Sequence, residues 1–256
     1  PTEKGNIWLE NTSQQIAFNH LGYTTTDRNV LLVKKEGIEI MDTPSYSADQ
    51  SRERQLLRIK LNEDNSISGE GNFSFTGIQY DNNLVLATMA PKERNEAVKN
   101  LMDVLNFEKI EMKNFLNDRD HAVAKFDLDF KANNYSKNAG SSIIFRAVPI
   151  YANSIYKTEE NRELPFELKQ SFEDEYEINF ALPKNYKIDE IPENVLLKTE
   201  FGTYTLNFAK NGDELKVNRI IRINKGLYPK EKYNDYVNFR KKTINIDNSK
   251  ILISKI

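Results

Sequence analysis

His20 and His121 are the only imidazoles in the chain. Imidazole titrates near neutral pH and is the usual general base. A nucleophile activated by either would have to be Ser or Thr, because there is no cysteine. No Gly-x-Ser-x-Gly elbow supports that chemistry. His20 lies in a connection between Phe18-Asn19 and Leu21-Gly22, where the plain reading is a surface or hydrogen-bonded structural histidine. His121, in Asp118-Arg119-Asp120-His121, reads as a loop residue at the start of a strand. Among carboxylates, Glu70 between two glycines and Asp81 after Tyr80 could be nominated as a glycosidase pair. With 38 acidic residues some pair can always be nominated, so solvated strand faces and turns are the plain reading. Asn62-Glu63-Asp64-Asn65 lacks the alternating ligands, turn glycine and terminal Glu of a calcium loop and reads as a hairpin turn. The sequons at Asn11, Asn72 and Asn134 carry no weight in an Asn-rich chain. No metal site or cofactor is implied.

Composition narrows the classes further. The 256 residues carry 36 basic and 38 acidic side chains, a net charge of −2, and so lack the basic excess of a nucleic-acid binder. Absence of Cys excludes thiol nucleophiles, disulfides, thiolate zinc and iron–sulfur clusters. No run approaches the roughly 18–20 apolar residues of a membrane span, and no basic-then-apolar leader is present. The length allows one large domain or two modest ones, with a sizeable core.

The elements that must position these residues are mostly strands, because apolar residues recur with period two. Leu57, Ile59 and Leu61 alternate, the Asn62–Asn65 turn comes next, and Phe73 and Phe75 return after Gly69 and Gly71. Further alternation runs through Ala124-Phe126-Leu128-Phe130, Tyr176-Ile178-Phe180-Leu182 and Tyr204-Leu206-Phe208. Asn211-Gly212 then signals a tight turn into Leu215 and Val217. Ile251 and Ile253 mark a last strand. Helical period occurs twice. One stretch is 91–105, opened by Pro91 with Ala97, Val98, Leu101, Met102 and Leu105 on one stripe. The other is 229–240, with Tyr233, Tyr236, Val237 and Arg240 along one side. Most of the 14 Phe fall on core-facing strand positions, and Tyr228, Tyr233 and Tyr236 read as docking a helix. Thr43–Ser47 and Asn133–Gly140 are polar, turn-prone and candidate boundaries.

Trp8-Leu9-Glu10-Asn11-Thr12-Ser13-Gln14 is the most specific string in the chain. With Phe18, Leu21-Gly22, Asp27-Arg28-Asn29-Val30-Leu31-Leu32 and Asp42-Thr43-Pro44, it resembles bacterial transglutaminase-like proteins, whose papain-like core is flanked by domains of unknown function. Leu164-Pro165-Phe166, Tyr176 to Leu182-Pro183, Ile191-Pro192, Phe201-Gly202-Thr203-Tyr204 and Tyr233 to Phe239 resemble the C-terminal domain of that family.

The resemblance implies a mainly β chain: end strands of a transglutaminase-like core over 1–44, a β-rich middle module over 45–132, and a C-terminal β-sandwich over 133–256, with one or two helices. It also implies a Cys-His-Asp triad in the parent, its acid in a Trp-Leu-Asp-x-Thr string. That acid falls on Glu10, a departure from Asp that adds a methylene; read without the resemblance, Glu10 is an exposed strand-end carboxylate. A triad acid orients the histidine and stabilises the imidazolium. The Cys and His would precede Pro1, so His20, ten residues after the acid, does not inherit the role. A start at Pro1 would cut through a catalytic core, as in a proteolytic product or truncated chain, and residues 1–42 are then expected to pair strands with the middle module.

The expected role is therefore a non-catalytic accessory region. It would brace the upstream core and contact a protein or peptide substrate, in the periplasm or cell envelope. The alternative is a stand-alone β-sandwich module binding protein or glycan at the cell envelope, recognisable by aromatics exposed in a flat row. A hydrolase with two converging carboxylates is the third reading.

Overall fold

A computed structural model describes residues 6–102, 104–149 and 157–256. Pro1, residue 103 and the side chain of Leu101 lie outside that description. The first regular elements are β1 (Asn29–Lys34) and β2 (Gly37–Asp42), followed by β3 (Arg52–Leu61) and β4 (Ile67–Thr76). Helices α1 (Gly77–Asn83) and α2 (Pro91–Leu101) precede β5 (Asn106–Asp118) and β6 (Val123–Asn133). Next come β7 (Ser136–Ala139), β8 (Ser142–Arg146), β9 (Phe166–Leu168), β10 (Phe172–Ala181) and β11 (Tyr186–Glu190). The chain continues through β12 (Val195–Thr199), β13 (Gly202–Asn211), β14 (Glu214–Ile223) and β15 (Gly226–Tyr228), then α3 (Tyr233–Asp247) and β16 (Lys250–Lys255). The class is mainly β.

An eight-stranded sheet in the order β12-β13-β14-β10-β3-β4-β6-β5 dominates the molecule. Strands from 45–132 and from 133–256 share it. They meet where β10 pairs in parallel with β3, Leu57 opposite Ile178, while the other ladders in this sheet are antiparallel. A second sheet, β11-β16-β8-β7, lies against it, with Phe145 packed on Phe180 at 5.1 Å between ring centroids. The two buried faces interdigitate as in a sandwich.

Period two is visible in the core. Leu57, Ile59 and Leu61 of β3, Phe126, Leu128 and Phe130 of β6, and Tyr176, Ile178 and Phe180 of β10 are all buried. Gly71 faces the same side, and a Cβ there would lie 2.7 Å from the Phe73 ring and 2.8 Å from Leu57. Its missing side chain is the space those neighbours fill. The β3–β4 turn is closed by Asn62 N–H to Ser66 O at 3.0 Å, with Asn65 at φ 67°. Gly212, at φ 63°, turns β13 into β14 as its Asn-Gly pair predicts.

Several expectations need correction. Among the described residues there are three α-helices, and α1 is too short to show a helical stripe. The helix expected over 91–105 ends at Leu101, with Met102 leaving helical geometry. The second begins after a 3-10 turn at 230–232 and runs on to Asp247. Its Tyr cluster does dock it: Tyr233 and Tyr236 lie 5.4 and 5.6 Å from the Phe166 ring, and Tyr228 stacks on that ring at 5.3 Å. The polar stretch 133–140 contains β7. Strand β5 is hidden in the sequence because register shifts between Phe107 and Lys109, and between Lys113 and Leu116, break its alternation.

The expected strand pairing between residues 1–42 and the middle module is absent among the described residues; β1 and β2 form their own two-stranded sheet. The irregular chain before them docks mainly through side chains. Asn117 Nδ2 donates to Gln15 O at 2.8 Å and Arg119 Nε donates to Ile16 O at 3.1 Å. One backbone bond, Phe18 N–H to Arg119 O at 3.3 Å, adds to these. From the C-terminal half, Lys225 Nζ reaches Asp27 at 2.9 Å and Ser45 at 2.6 Å.

Candidate functional site

Glu10 sits in irregular chain well before β1, not at a strand end, and is partly buried. Its Oε1 accepts the Thr12 amide at 3.1 Å and hydroxyl at 2.6 Å, and its Oε2 accepts the Thr25 hydroxyl at 2.7 Å. Those bonds, led by the two hydroxyls, hold the carboxyl below the ordinary glutamate range. The acid is fixed and charged, as an orienting carboxylate must be, and its partners are threonines.

His20 is buried, 4% exposed, in a different knot. Its ring stacks on Tyr46 at 4.9 Å and meets the edge of Tyr80 at 5.2 Å. Nδ1 lies 3.1 Å from the Tyr46 hydroxyl, which accepts the Leu21 amide at 3.0 Å. Nε2 is buried without a hydrogen-bond partner among the described residues. Burial pushes the imidazole below its usual range, against the pull of Asp81. The hydroxyl bonded to His20 is a tyrosine's and not that of Ser or Thr, so the knot is structural. Asp81, nominated as a catalytic carboxylate, accepts the Tyr23 amide at 2.8 Å and helps close the same knot. Tyr80 donates to Asn117 Oδ1 at 2.8 Å, and burial raises its hydroxyl to about 12.

The remaining nominations stay apart. His121 is exposed, and its Nδ1 lies 2.9 Å from Asp118 in the β5–β6 turn. Glu70 is exposed on the outer face of β4, 3.1 Å from Arg58. It borders a shallow depression of about 600 Å³ over β3, β4, β6 and β10, next to a second of about 420 Å³ lined by Arg54, Asn72, Lys125, Asp127 and Glu175. Charges on this face are matched across strands: Arg54–Glu175 at 3.2 Å, Lys216–Glu177 at 2.8 Å and Lys131–Glu108 at 2.8 Å.

Sequence reasoning missed the densest polar cluster, which lies on the core face where β3, β10 and β14 begin or cross. Arg219 and Asp247 form a buried two-point ion pair at 2.9 and 3.0 Å, and the Tyr204 hydroxyl donates to Asp247 at 2.7 Å. Arg219 is sandwiched by rings, 4.8 Å from the Tyr176 centroid and 5.5 Å from Tyr204. Beside it, Glu53 and Asp174 are register partners on adjacent strands. Gln79 Nε2 of α1 donates to Asp174 at 2.6 Å, and Gln55 donates to Glu53. Burial raises both carboxyls, Glu53 to about 8, with Asp174 beside it adding to the rise. The only signal in the sequence was polar residues at core-parity positions: Glu53 and Gln55 before Leu57, Asp174 before Tyr176, and Arg219 between Val217 and Ile221.

Exposed apolar surface concentrates at the N-terminal hairpin. Leu31, Val33, Ile38 and Ile40 are 65, 76, 68 and 71% exposed. They pair across the strands, Leu31 with Ile40 and Val33 with Ile38, and so form one continuous apolar face.

Residues 141–253 match the model of DUF3858, a domain of unknown function with solved structures. A structural relative is a crystal structure described as a "putative protease" from Parabacteroides distasonis, with 16% sequence identity and a TM-score of 0.38. The alignment covers 69% of this chain and 46% of that one, so this chain spans less than half the length of that relative. No curated protein matches.

Proposed function

We propose that this chain is the C-terminal accessory region of a transglutaminase-like protein. Residues 1–44 are the tail of its papain-like core, and the rest braces that core and contacts a protein or peptide substrate. The chain has no cysteine and therefore no thiol nucleophile of its own. The β1–β2 hairpin carries the reading. A two-stranded hairpin is marginal alone in water and needs further strands or a packed face for stability. Four cross-strand aliphatics left in solvent are the signature of a face built to be covered.

Glu10 lies in the irregular segment that leads into that hairpin, pre-oriented by Thr12 and Thr25. In the parent it would accept the ring N–H of an upstream histidine, and the reaction would be acyl transfer or amide hydrolysis through a thioester. The periplasm or cell envelope is the proposed location. The stand-alone glycan-binding reading gains nothing from the surface, since Phe18 and Tyr23 are the only exposed aromatics among the described residues.

The intact mass and N-terminal sequence of the natural protein in its source cells test the proposal. A product several hundred residues longer, with Cys and His upstream of Pro1, is expected. A natural product that begins at or near Pro1 overturns it, as does turnover of amine-donor or peptide substrates by the isolated chain.

A further inference from the structure

The seam between the two halves of the large sheet is the parallel β3–β10 ladder, and one end of it carries two carboxyls side by side. Glu53 and Asp174 are register partners, and their neighbours Gln55 and Tyr176 continue the same face. Adjacent strands stand only about 4.8 Å apart. Each element packed around the pair supplies a neutral donor or a cation already in use. From β3, Gln55 donates to Glu53 and leaves its own Oε1 buried without a donor among the described residues. From β10, Tyr176 follows Asp174 on the same face, and Glu173 points to the other side, bound by Arg52 at 2.7 Å and Arg222 at 3.1 Å. From α1, Gln79 donates to Asp174.

The nearby charges relieve the pair only in part. Arg219 of β14 commits Nε and Nη2 to Asp247 of α3, and its Nη1 is buried with no acceptor among the described residues. Arg240 of α3 acts on Asp174 only as a more distant charge. Neither carboxyl forms an ion pair with a described cation within 4 Å, unlike Glu173 one residue away. Two ionised carboxylates one strand apart, faced by amides and a phenol, repel, and the Arg219 and Arg240 charges offset their burial and repulsion only in part. Both residues keep partial solvent contact, so protons can exchange without unfolding.

We infer that Glu53 and Asp174 form a proton lock on the β3–β10 seam: a carboxyl proton held between them keeps the two halves of the sheet together, and its loss loosens that end of the seam. The sign is set by linkage. An acid more basic in the folded state than in the unfolded chain makes the native state the better proton binder, so stability falls as pH rises from about 4.5 toward the folded value.

Urea unfolding of the chain from pH 5 to 9 tests this, comparing wild type with Glu53→Gln and Asp174→Asn. In the wild type the unfolding constant is expected to rise by up to about tenfold per pH unit between pH 5 and 8. Glu53→Gln should flatten that dependence and unfold less readily than wild type at pH 8, and Asp174→Asn should flatten it too. Hydrogen exchange read against peptide controls should show seam amides of β3 and β10 losing protection with pH in wild type only. A wild-type dependence that is flat, or one that Glu53→Gln and Asp174→Asn both leave unchanged, overturns the inference, whatever either substitution does to overall stability.

Discussion

Two hairpins in this molecule carry the same local code and meet opposite fates. In β13–β14, Tyr204, Leu206, Leu215 and Val217 alternate along strands closed by Asn-Gly, and all four are fully buried. In β1–β2, Leu31, Val33, Ile38 and Ile40 alternate just as regularly, and all stand in solvent. Period two specifies a strand, but only a second layer decides whether its apolar face is worth anything. The buried hairpin has that layer in α3, anchored to it by the Tyr204–Asp247–Arg219 network. The exposed one has contacts at its base, through Thr43 and Lys225.

Substitutions can break or sharpen this contrast. The largest effect is expected at Asp247→Ala, which strands Arg219 as a buried unpaired cation; breaking such a pair costs about 3–5 kcal/mol, readable as a fall in the urea midpoint. Leu206→Ala in the buried hairpin should cost about 2–5 kcal/mol through lost burial and an unfilled cavity. His20, where the N-terminal segment meets the body, should give a smaller, pH-dependent effect. Its imidazole is pushed down in the folded chain, so the unfolded chain takes up the proton first. The stability it contributes is present above pH about 6.5 and fades as pH falls below it. Between pH 7.5 and 5.5, thermal unfolding should show wild type losing stability relative to His20→Asn, superimposed on the opposite trend that the Glu53–Asp174 pair gives both chains. Smallest of all, Val33→Thr should move the stability of this chain by no more than about 0.5 kcal/mol. A Val33→Thr effect as large as that of Leu206→Ala would mean that the hairpin is already packed in this chain, and the contrast would collapse.

The strands were legible where one face is buried without interruption, as at Leu57–Leu61, Tyr176–Phe180 and the Asn211-Gly212 hairpin. They were not legible in β5, whose bulges shift the phase of its own pattern. Nor was the β3–β10 pairing, since nothing local in Leu57 says that its neighbour is Ile178. Of the candidate residues, Glu10 stands out through its string, and its threonine partners could be read nearby only at Thr12. The Glu53–Asp174 pair was invisible because each residue alone resembles a solvated strand end; only topology brings them together.

That same parallel seam sets a timetable for synthesis. When β3 leaves the ribosome its outer edge has no partner, and none exists until β10 has been made. At about 5–20 residues per second, the wait is on the order of ten seconds. During it, a nascent chain carrying Leu57, Ile59 and Leu61 presents an open strand edge to whatever else is nearby. Contacts so distant along the chain also slow folding once synthesis ends. Chaperone demand and yield should therefore track how fast the second half arrives: slow codons placed between β6 and β10 should lower soluble yield more than the same codons placed after β14.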